Sequence, residues 1–189
     1  VGGGMELLQF AYFNRNKGGI IGIDVVDEML EASRKNFAEA EEMNPWFKGN
    51  FVDLRKGDAM NLPVDGNSID VAAQNCLFNI FKSDDLKKAI AEMYRVLKPH
   101  GRLVMSDPTC EQPMNDELRN DERLRALCLS GSLPINEYVK ALTDAGFGTI
   151  EIRARKPYRI LDPKHSPTDE LIYIEPIEVA AIKAQMPHD

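Results

Sequence analysis

Two of the three cysteines in this chain stand where a thiol can do chemistry. Cys76 follows Asn75 at the end of a buried-strand pattern within VAAQNCLFNIF, and Cys128 lies far along the chain in RALCLSGSLP. Thiolates are the preferred ligands of soft metals and metalloids. Two such thiols, distant in sequence, are candidates to meet in the fold. Cys110, in SDPTCEQP, is either a loop thiol or a third ligand, and the absence of a CxxC pair argues against a zinc ribbon.

Small and acidic residues form a second group of candidates. Gly2, Gly3 and Gly4 in VGGGMELLQFA allow close approach of a ligand to the backbone, beside the free N–H groups of a helix N-terminus. Asp24 ends the next apolar run about twenty residues later, where a carboxylate can accept hydrogen bonds from both ribose hydroxyls. Asp58, in GDAMNLP, can accept from an adenine amino group. This spacing fits a dinucleotide and S-adenosylmethionine equally well.

Short β-rich runs alternate with longer helical patterns, which predicts an open α/β sheet with right-handed crossovers. The predicted strands are GGIIGIDVV, NFVDLRKGD, SIDVAAQN, RLVMSD, TIEIRAR and LIYIEPIEVAAIKA, and NDELRNDERLRALCLSG is predicted to be helical. Ligands of such sheets bind outside the carboxyl ends of the strands. The residues expected there are Gly2 to Gly4, Asp24, Gly57, Asp58, Asn75, Cys76, Ser106 and Asp107.

The glycines, Asp24, GDAMNLPVDGNSID and MYRVLKPHGRLVMSD form a series that resembles the class I S-adenosylmethionine-dependent methyltransferases over about residues 1–155. The resemblance implies a Rossmann-like fold. Its open, mostly parallel, seven-stranded sheet has helices on both faces and an antiparallel last strand. The family's first strand precedes the glycines, and only Val1 corresponds to it here. The cofactor-binding residues that the resemblance implies are Gly2, Gly3 and Gly4 at the methionine end, Asp24 at the ribose with Val25 beside it, Asp58 and Ala59 at the adenine, and Asn75 at the amino acid moiety.

QNCLFNIF and DERLRALCLSGSL, together with DVVDEML and NLPVDGNSID, look like the paired cysteine segments of arsenite methyltransferases. They look closest to the branch found beside arsenosugar biosynthesis. This resemblance implies a trivalent arsenic substrate, arsenite or methylarsenite, and a thiol reductant as partner. Cys76 and Cys128 would be the catalytic thiolates and the ligands of the arsenic. Family members carry a further cysteine before the glycines, in a region that this sequence does not include.

The resemblance also indicates the domain organisation. Residues 1–155 are expected to form the cofactor-binding core. Within it, residues 108–146 would be a lid over the acceptor site, inserted between the fifth and sixth strands. Residues 156–189 are expected to form a C-terminal extension that includes the last strand.

Composition narrows the class of protein. The 189 residues carry a formal net charge of -7, which argues against a nucleic-acid partner, because phosphate binding needs a basic surface. No apolar run has transmembrane length and no signal peptide is visible, so no membrane partner is expected. The free cysteines predict a reducing, cytoplasmic location. We expect a monomer that acts on a small molecule.

Three alternatives fit parts of the sequence. A carbon methyltransferase of the quinone-biosynthesis type shares the YRVLKPHGRL region and does not need Cys128. A nicotinamide-dependent oxidoreductase fits the glycines and Asp24 but lacks a strict G-x-G-x-x-G pattern, because Leu7 stands at the last position. A metalloid-binding protein without turnover is the third.

Overall fold

Two compact units make up the chain, Val1–Pro63 and Val64–Asp189. A computed structural model describes residues 1–156, 159–161 and 172–184. Within these ranges, no helix combines the length and the apolar character needed to cross a membrane. The division into units differs from the expected boundary after residue 155. The last strand, which was assigned to the C-terminal extension, hydrogen-bonds on both sides within the sheet of the second unit.

The first unit contains two helices and a two-stranded parallel sheet. Its elements are α1 (Met5–Phe13), β1 (Ile20–Asp24), α2 (Asp27–Met43) and β2 (Val52–Lys56). The buried residues of α2, Leu30, Ser33 and Phe37, recur every three or four positions and so share one helix face. That face contributes to a core of Leu7, Ala11, Ile20, Phe37, Phe47 and Val52. Because β1 and β2 run in parallel with Asp24 opposite Lys56, their carboxyl ends lie at the same edge.

The second unit is built on a six-stranded sheet with the order β3-β4-β8-β6, in which β5 pairs with β4 and β7 with β8. Its elements are β3 (Ile69–Asn75), α3 (Ser83–Val96), β4 (Leu97–Cys110), α4 (Asp116–Arg119), α5 (Glu122–Ala126), β5 (Leu133–Pro134), α6 (Ile135–Asp144), β6 (Phe147–Arg155), β7 (Arg159–Leu161) and β8 (Ile172–Lys183). Instead of the expected single sheet of seven strands, the described residues form a two-stranded and a six-stranded sheet, and two of these eight strands, β5 and β7, have only two and three residues.

Strand directions agree with the expected architecture. β3 and β5 run parallel to β4, whereas β8 is antiparallel to β4, β6 and β7. Only β8 therefore opposes the common direction of the other strands in this sheet. The expectation of a mostly parallel sheet with an antiparallel last strand is confirmed.

The end of β4 and the helical segment around Cys128 differ from the prediction, each for a local reason. β4 continues beyond Asp107 to Cys110, because β8 pairs with it as far as Ile174. The helical segment predicted around Cys128 is split into α4 and α5. The side chain of Asp121 accepts hydrogen bonds from the backbone N–H groups of Arg123 and Leu124, so it caps a new helix in the middle of the segment.

Lys183, at the end of β8, ties three parts of the second unit together. Its ammonium group donates hydrogen bonds to the Asn67 Oδ1 atom at 2.8 Å and to the carbonyl oxygens of Tyr94 at 2.9 Å and Leu97 at 2.7 Å. It also lies 4.4 Å from the centre of the Tyr94 ring. These contacts satisfy carbonyl groups at the C-terminal end of α3, where a cation also complements the helix dipole.

Candidate functional site

The glycine loop before α1 has two left-handed residues, Gly2 with φ 51° and Gly4 with φ 81°. A Cβ atom at Gly4 would lie 2.8 Å from the Phe37 ring, so this glycine is required by the packing of α2. A Cβ atom at Gly2 would meet nothing within 4 Å. The Ser33 hydroxyl donates to the carbonyl oxygen of Gly2, and the Asn36 amide donates to that of Gly3. The loop is thus held from α2, and Gly2 is the glycine that leaves open space for a ligand.

Asp24 is the last residue of β1, and its side chain faces the same glycine loop. Its Oδ2 atom accepts from the Val1 nitrogen at 2.7 Å and from the Gly2 N–H at 3.3 Å, and its Oδ1 atom accepts from the Val26 N–H at 3.0 Å. Burial raises the pKa of Asp24, and the hydrogen bonds from the Val26 and Gly2 N–H groups lower it. The group is a carboxylate at neutral pH and an acceptor suited to ribose hydroxyls. Val25, the next residue, is 61% exposed.

Asp58 and Ala59 lie in the turn that follows β2. The Asp58 Oδ1 atom accepts from the Met60 N–H at 2.9 Å, and its carbonyl oxygen accepts from the Asn61 N–H at 3.0 Å. One carboxylate oxygen therefore shapes the turn, while the residue as a whole is exposed. Ala59 is partly exposed. Asp24 and Asp58 together follow two parallel strands at one edge, which fits the set of acceptors that a nucleoside requires.

Asn75, the last predicted cofactor residue, belongs to the second unit. It ends β3 opposite Ser106 of β4 and is exposed. The residue after it, Cys76, leaves the strand, and its backbone N–H donates to the Ser106 carbonyl oxygen at 2.8 Å. The sheet therefore fixes the starting point of the turn that carries the first thiol.

Cys76 and Cys128 are brought together. The Cys128 Sγ atom lies 3.5 Å from the Cys76 carbonyl oxygen, to which it donates a hydrogen bond, although 52 residues separate the two. Cys76 is exposed and Cys128 is partly exposed, so the pair is open to a small molecule.

Both cysteines adopt left-handed backbone conformations, with φ 53° at Cys76 and φ 60° at Cys128. Residues other than glycine, asparagine and aspartate rarely do so, and each instance costs of order 1–3 kcal/mol. Such strain persists where the surrounding structure over-determines it, and it is common at functional sites. Because both members of the thiol pair have this unusual conformation, the local backbone at Cys76 and Cys128 is a feature that sets the positions of the two sulfur atoms.

Asp107 fixes the turn that carries Cys76. It is fully buried, its Oδ2 atom accepts a hydrogen bond from the Gln74 amide, and its Oδ1 atom has no hydrogen-bond partner among the described residues. The Gln74 Oε1 atom in turn accepts from the Leu77 N–H at 2.9 Å. Burial raises the pKa of Asp107 to about 7, against the effect of the hydrogen bond from Gln74. The sequence placed Asp107 among ligand-facing residues, but the structure buries it behind the turn.

The electrostatic setting keeps both thiols protonated at neutral pH. Burial raises the pKa of Cys76, and the charges that Cys128 and Asp107 can carry raise it further. Burial and Asp107 likewise raise the pKa of Cys128 above its ordinary value. Thiolates therefore form here mainly when a soft, electrophilic atom displaces the thiol protons. The site can do chemistry as a two-sulfur ligand rather than as a free nucleophile.

Cys110 lies apart from this pair. It is the last residue of β4, it is buried, and its thiol donates to the Ser132 carbonyl oxygen at 3.2 Å. Burial raises the pKa of Cys110 to about 11. Among the residues that the structure describes, no three histidine, cysteine or carboxylate side chains are grouped as metal ligands. The structure therefore does not bring Cys110 to the pair as a third ligand.

Two residues that support the pair were missed from the sequence. Asn79 is fully buried, and its Nδ2 atom donates to the Cys128 carbonyl oxygen at 2.7 Å. Arg125 donates to the carbonyl oxygens of Ile80 at 3.0 Å and Arg119 at 2.5 Å. The available signal for Asn79 was an amide inside an apolar run, between Phe78 and Ile80. For Arg125 the sequence offered none beyond its position in a charged helical pattern.

Comparison with known proteins identifies a family and several relatives. The family model described as Methyltransferase domain matches residues 1–105. An arsenite methyltransferase from Halobacterium salinarum is 30% identical over 135 residues, which are 71% of this chain and 32% of that protein. A demethylmenaquinone methyltransferase from Desulfitobacterium hafniense is 35% identical over 100 residues, 53% of this chain and 36% of that protein. The chain spans about a third of the length of these curated relatives.

Among solved structures, the chain resembles an arsenic(III) S-adenosylmethionine methyltransferase from Chlamydomonas reinhardtii. The TM-score is 0.81 at 20% identity, and the match covers 98% of this chain and 62% of that one. At this identity the likeness concerns the fold alone. It confirms the expected Rossmann-like fold class of the class I methyltransferases.

Proposed function

Because the chain belongs to the Methyltransferase domain family, we propose that it catalyses methylation of trivalent arsenic bound by Cys76 and Cys128. The observation that carries the proposal is the thiol pair. The Cys128 Sγ atom lies 3.5 Å from the Cys76 carbonyl oxygen, and both residues have a strained, left-handed backbone. The similarity to an arsenite methyltransferase over 71% of the chain supports the choice of acceptor.

The cofactor is S-adenosylmethionine, which supplies an electrophilic methyl group on a sulfonium sulfur. In our proposal, the Asp24 carboxylate accepts from the ribose hydroxyls, with Val25 beside it. The turn of Asp58 and Ala59 would hold the adenine. Gly2 lies open to the ligand, and Gly3 and Gly4 complete the loop. Asn75 would hold the amino acid moiety.

Arsenic enters as a substrate. In arsenite, two As–O bonds break as two As–S bonds form, and each departing hydroxide takes the proton of the thiol that replaces it and leaves as water. No protons are released overall, which suits thiols whose pKa values are raised. Held by sulfur, arsenic keeps its lone pair, which is the nucleophile for the methyl group. A general base is therefore not needed, and the role of the site is to position the acceptor for an in-line approach.

The proposal includes a thiol reductant as a second small-molecule partner and the cytoplasm as the location. Three free cysteines, among them an exposed Cys76, support a reducing environment. We further propose that the protein acts as a monomer, with methylated arsenicals as its products.

A carbon methyltransferase acting on a quinone precursor is the second candidate. The observation that favours it is the 35% identity to a demethylmenaquinone methyltransferase over 53% of the chain. That reaction has no use for a thiol pair, so it leaves the positions of Cys76 and Cys128 without explanation.

A methyl-transfer assay separates the two candidates. The protein would be incubated with methyl-labelled S-adenosylmethionine, excess glutathione and either arsenite or demethylmenaquinol. We expect the label to appear in methylarsenicals and not in the quinol. Transfer of label to the quinol alone would overturn the proposal in favour of the carbon methyltransferase.

A further inference from the structure

The segments that carry the two thiols meet at one buried side chain, Asn79. It lies in the short turn Phe78–Ile80 after Cys76, and no part of it is exposed. The start of this turn is joined to β4 through the Gln74 amide, which donates to the Asp107 carboxylate and accepts from the Leu77 N–H. The Asn79 Nδ2 atom donates to the Cys128 carbonyl oxygen at 2.7 Å, which is shorter than most neutral hydrogen bonds of this type. Asn79 therefore belongs to the segment that carries Cys76 and contacts the backbone of Cys128.

A second contact fixes the same pair of segments. Gly131 packs so closely against Asn79 that a Cβ atom on Gly131 would lie 1.8 Å from the Asn79 carbonyl oxygen. No side chain fits in that space, so the backbone of the Cys128 segment lies directly on the backbone of the Cys76 segment. The side-chain hydrogen bond to Cys128 and the backbone packing of Gly131 are two separate contacts of Asn79 with the Cys128 segment, and together they restrict the distance and the orientation of that segment.

Stability alone is a poor explanation for this asparagine. Its Oδ1 atom is buried and has no hydrogen-bond partner among the described residues. A buried amide that is only half satisfied costs about 1–3 kcal/mol, so an apolar residue would serve the core better. The hydrogen bond that it does make goes to Cys128, one of two cysteines held in a strained backbone.

We propose that Asn79 is a positioning residue that sets the spacing of the Cys76 and Cys128 thiols and thereby their ability to bind one trivalent arsenic atom together. The inference rests on the proposed function for the identity of the atom that is bound. Its physical basis is effective concentration. After the first As–S bond has formed, the second is intramolecular, and its strength depends on how closely the other sulfur is held.

The test measures the two-thiol advantage directly, with phenylarsine oxide as the probe. This arsenical loses its oxygen as water when it takes two thiols, and it involves no methyl transfer. Its affinity is measured by titration calorimetry for the full chain and for the same chain carrying Cys128→Ser, and the ratio of the two affinities is the two-thiol advantage. Misfolding lowers the fraction of protein that binds, but it does not change this ratio in the folded fraction.

Two variants disturb the spacing without touching a thiol. Asn79→Ala removes the hydrogen bond to Cys128, and Gly131→Ala forces the two segments apart. We expect each to reduce the two-thiol advantage by about tenfold or more. Ser130→Ala is the matched control. It removes a buried hydroxyl next to Gly131 in the Cys128 segment, and this hydroxyl has no hydrogen-bond partner among the described residues. It should keep the wild-type ratio.

Each outcome decides the inference. An unchanged ratio in both Asn79→Ala and Gly131→Ala would overturn it, as would an equal loss in Ser130→Ala or the absence of any two-thiol advantage in the wild type. Failure of the proposed function is seen separately. A wild-type protein that binds phenylarsine oxide through both thiols but does not methylate arsenite would leave the role of Asn79 standing and remove the methylation.

Discussion

At the scale of single residues, Cys76 and Cys128 both have a left-handed backbone, which cysteine seldom adopts. A glycine would adopt φ values of 53° and 60° without cost, and an asparagine would do so with little. Two thiols in these positions are hard to explain by packing, because a small apolar residue in an ordinary conformation would pack as well. They are readily explained if the direction of each sulfur atom matters.

The sequence predicted that these two thiols are candidates to meet, but not how. The positions of the two thiols depend on the left-handed turns and on Asn79. No local pattern such as Asn-Gly marks either turn in the sequence. Asp107 was expected to face a ligand because it follows an apolar run. Its burial and its contact with the Gln74 amide depend on the path of the chain after Cys76, which only the folded structure defines.

Asp24 is the residue that we expect to matter most for cofactor affinity. Asp24→Ala removes a carboxylate that would make charge-assisted hydrogen bonds to the ribose. We predict a loss of about 2 kcal/mol in the binding of S-adenosylmethionine, which is about thirtyfold in affinity. Titration calorimetry measures it. Asp27→Ala is the control, because that carboxylate pairs with Lys56 on the surface, and it should bind normally. Equal affinity of wild type and Asp24→Ala would exclude Asp24 from the site.

At the scale of elements, the strands and the long helices follow their sequence patterns. Strand β3 lies where the apolar run predicts it, although Ala72 is its one buried residue and Val71 is exposed, so the prediction of a buried strand is wrong. The segment around Cys128 does not follow its pattern, because the Asp121 side chain caps a second helix and splits the predicted one. Periodicity describes burial on one face, and it carries less information in a segment this rich in charged residues.

The segment between β4 and β5 is expected to act as the lid over the acceptor. Of the predicted lid, residues 108–146, Pro108 to Cys110 belong to β4, and the end of the segment contains β5 and α6, so we propose the lid role for residues 111–132 between β4 and β5. This segment carries Cys128, and its helices α4 and α5 have only four and five residues. We predict that its amide hydrogen exchange slows when arsenite is added, because two As–S bonds tie it to the turn of Cys76. Mass spectrometry measures this, with strand β4 as the internal reference. Identical exchange with and without arsenite would count against a lid.

Lys183 connects β8 to the C-terminal end of α3 and to Leu97 of β4, and we expect its loss to lower the stability of the second unit. Lys183→Met keeps the aliphatic chain but leaves the carbonyl oxygens of Tyr94 and Leu97 without their donor. We predict a decrease of about 2–3 kcal/mol in the free energy of unfolding of the second unit, measured in urea. Lys140→Met, which breaks an exposed pair with Asp144, should change it by less than about 1 kcal/mol. Equal effects of the two substitutions would mean that the contacts of Lys183 contribute little.

At the scale of the whole molecule, the proposed cofactor residues other than Asn75 fall into a different unit from the acceptor thiols. Asp24 and Asp58 belong to Val1–Pro63, and Cys76 and Cys128 belong to Val64–Asp189. The order of elements in both units follows from the alternation of strands and helices. The expected single sheet of seven strands does not appear as such. The described strands form two sheets.

The buried Asp107 should give the protein a recognisable dependence of stability on pH. Its pKa is about 7 in the folded chain and about 4 in the unfolded chain. Between these values the folded state binds one proton more, so the free energy of unfolding falls as pH rises from about 4 to about 7 and this contribution is constant above. We predict that the free energy of unfolding of the wild type falls by the order of 3 kcal/mol over this range and that this fall is absent in Asp107→Asn.

Urea denaturation of wild type and Asp107→Asn at pH 5 and pH 8 measures the difference in slope. Asp70→Asn, which removes an exposed carboxylate paired with Lys98, is the control and should keep the wild-type slope. If wild type and Asp107→Asn show the same change between the two pH values, Asp107 is ionised throughout this range and the buried acid is not protonated.

The central claim is that two thiols act as one ligand for the arsenic that is methylated. It is tested most directly by arsenite methylation in four variants, with product measured as labelled methylarsenicals. We predict that Cys76→Ser and Cys128→Ser each lose methylation to background while S-adenosylmethionine binding stays near wild type, because serine is close in shape but is not a soft ligand. The double variant should match either single one, because residues that act as a unit are not additive.

Cys110→Ser is the matched control and should keep most of the activity, since its thiol lies apart from the pair and is bonded to Ser132. Near wild-type methylation of arsenite by both Cys76→Ser and Cys128→Ser would contradict the account. The thiol pair would then be a matter of packing, and the quinone-type carbon methyltransferase would be the better description of this protein.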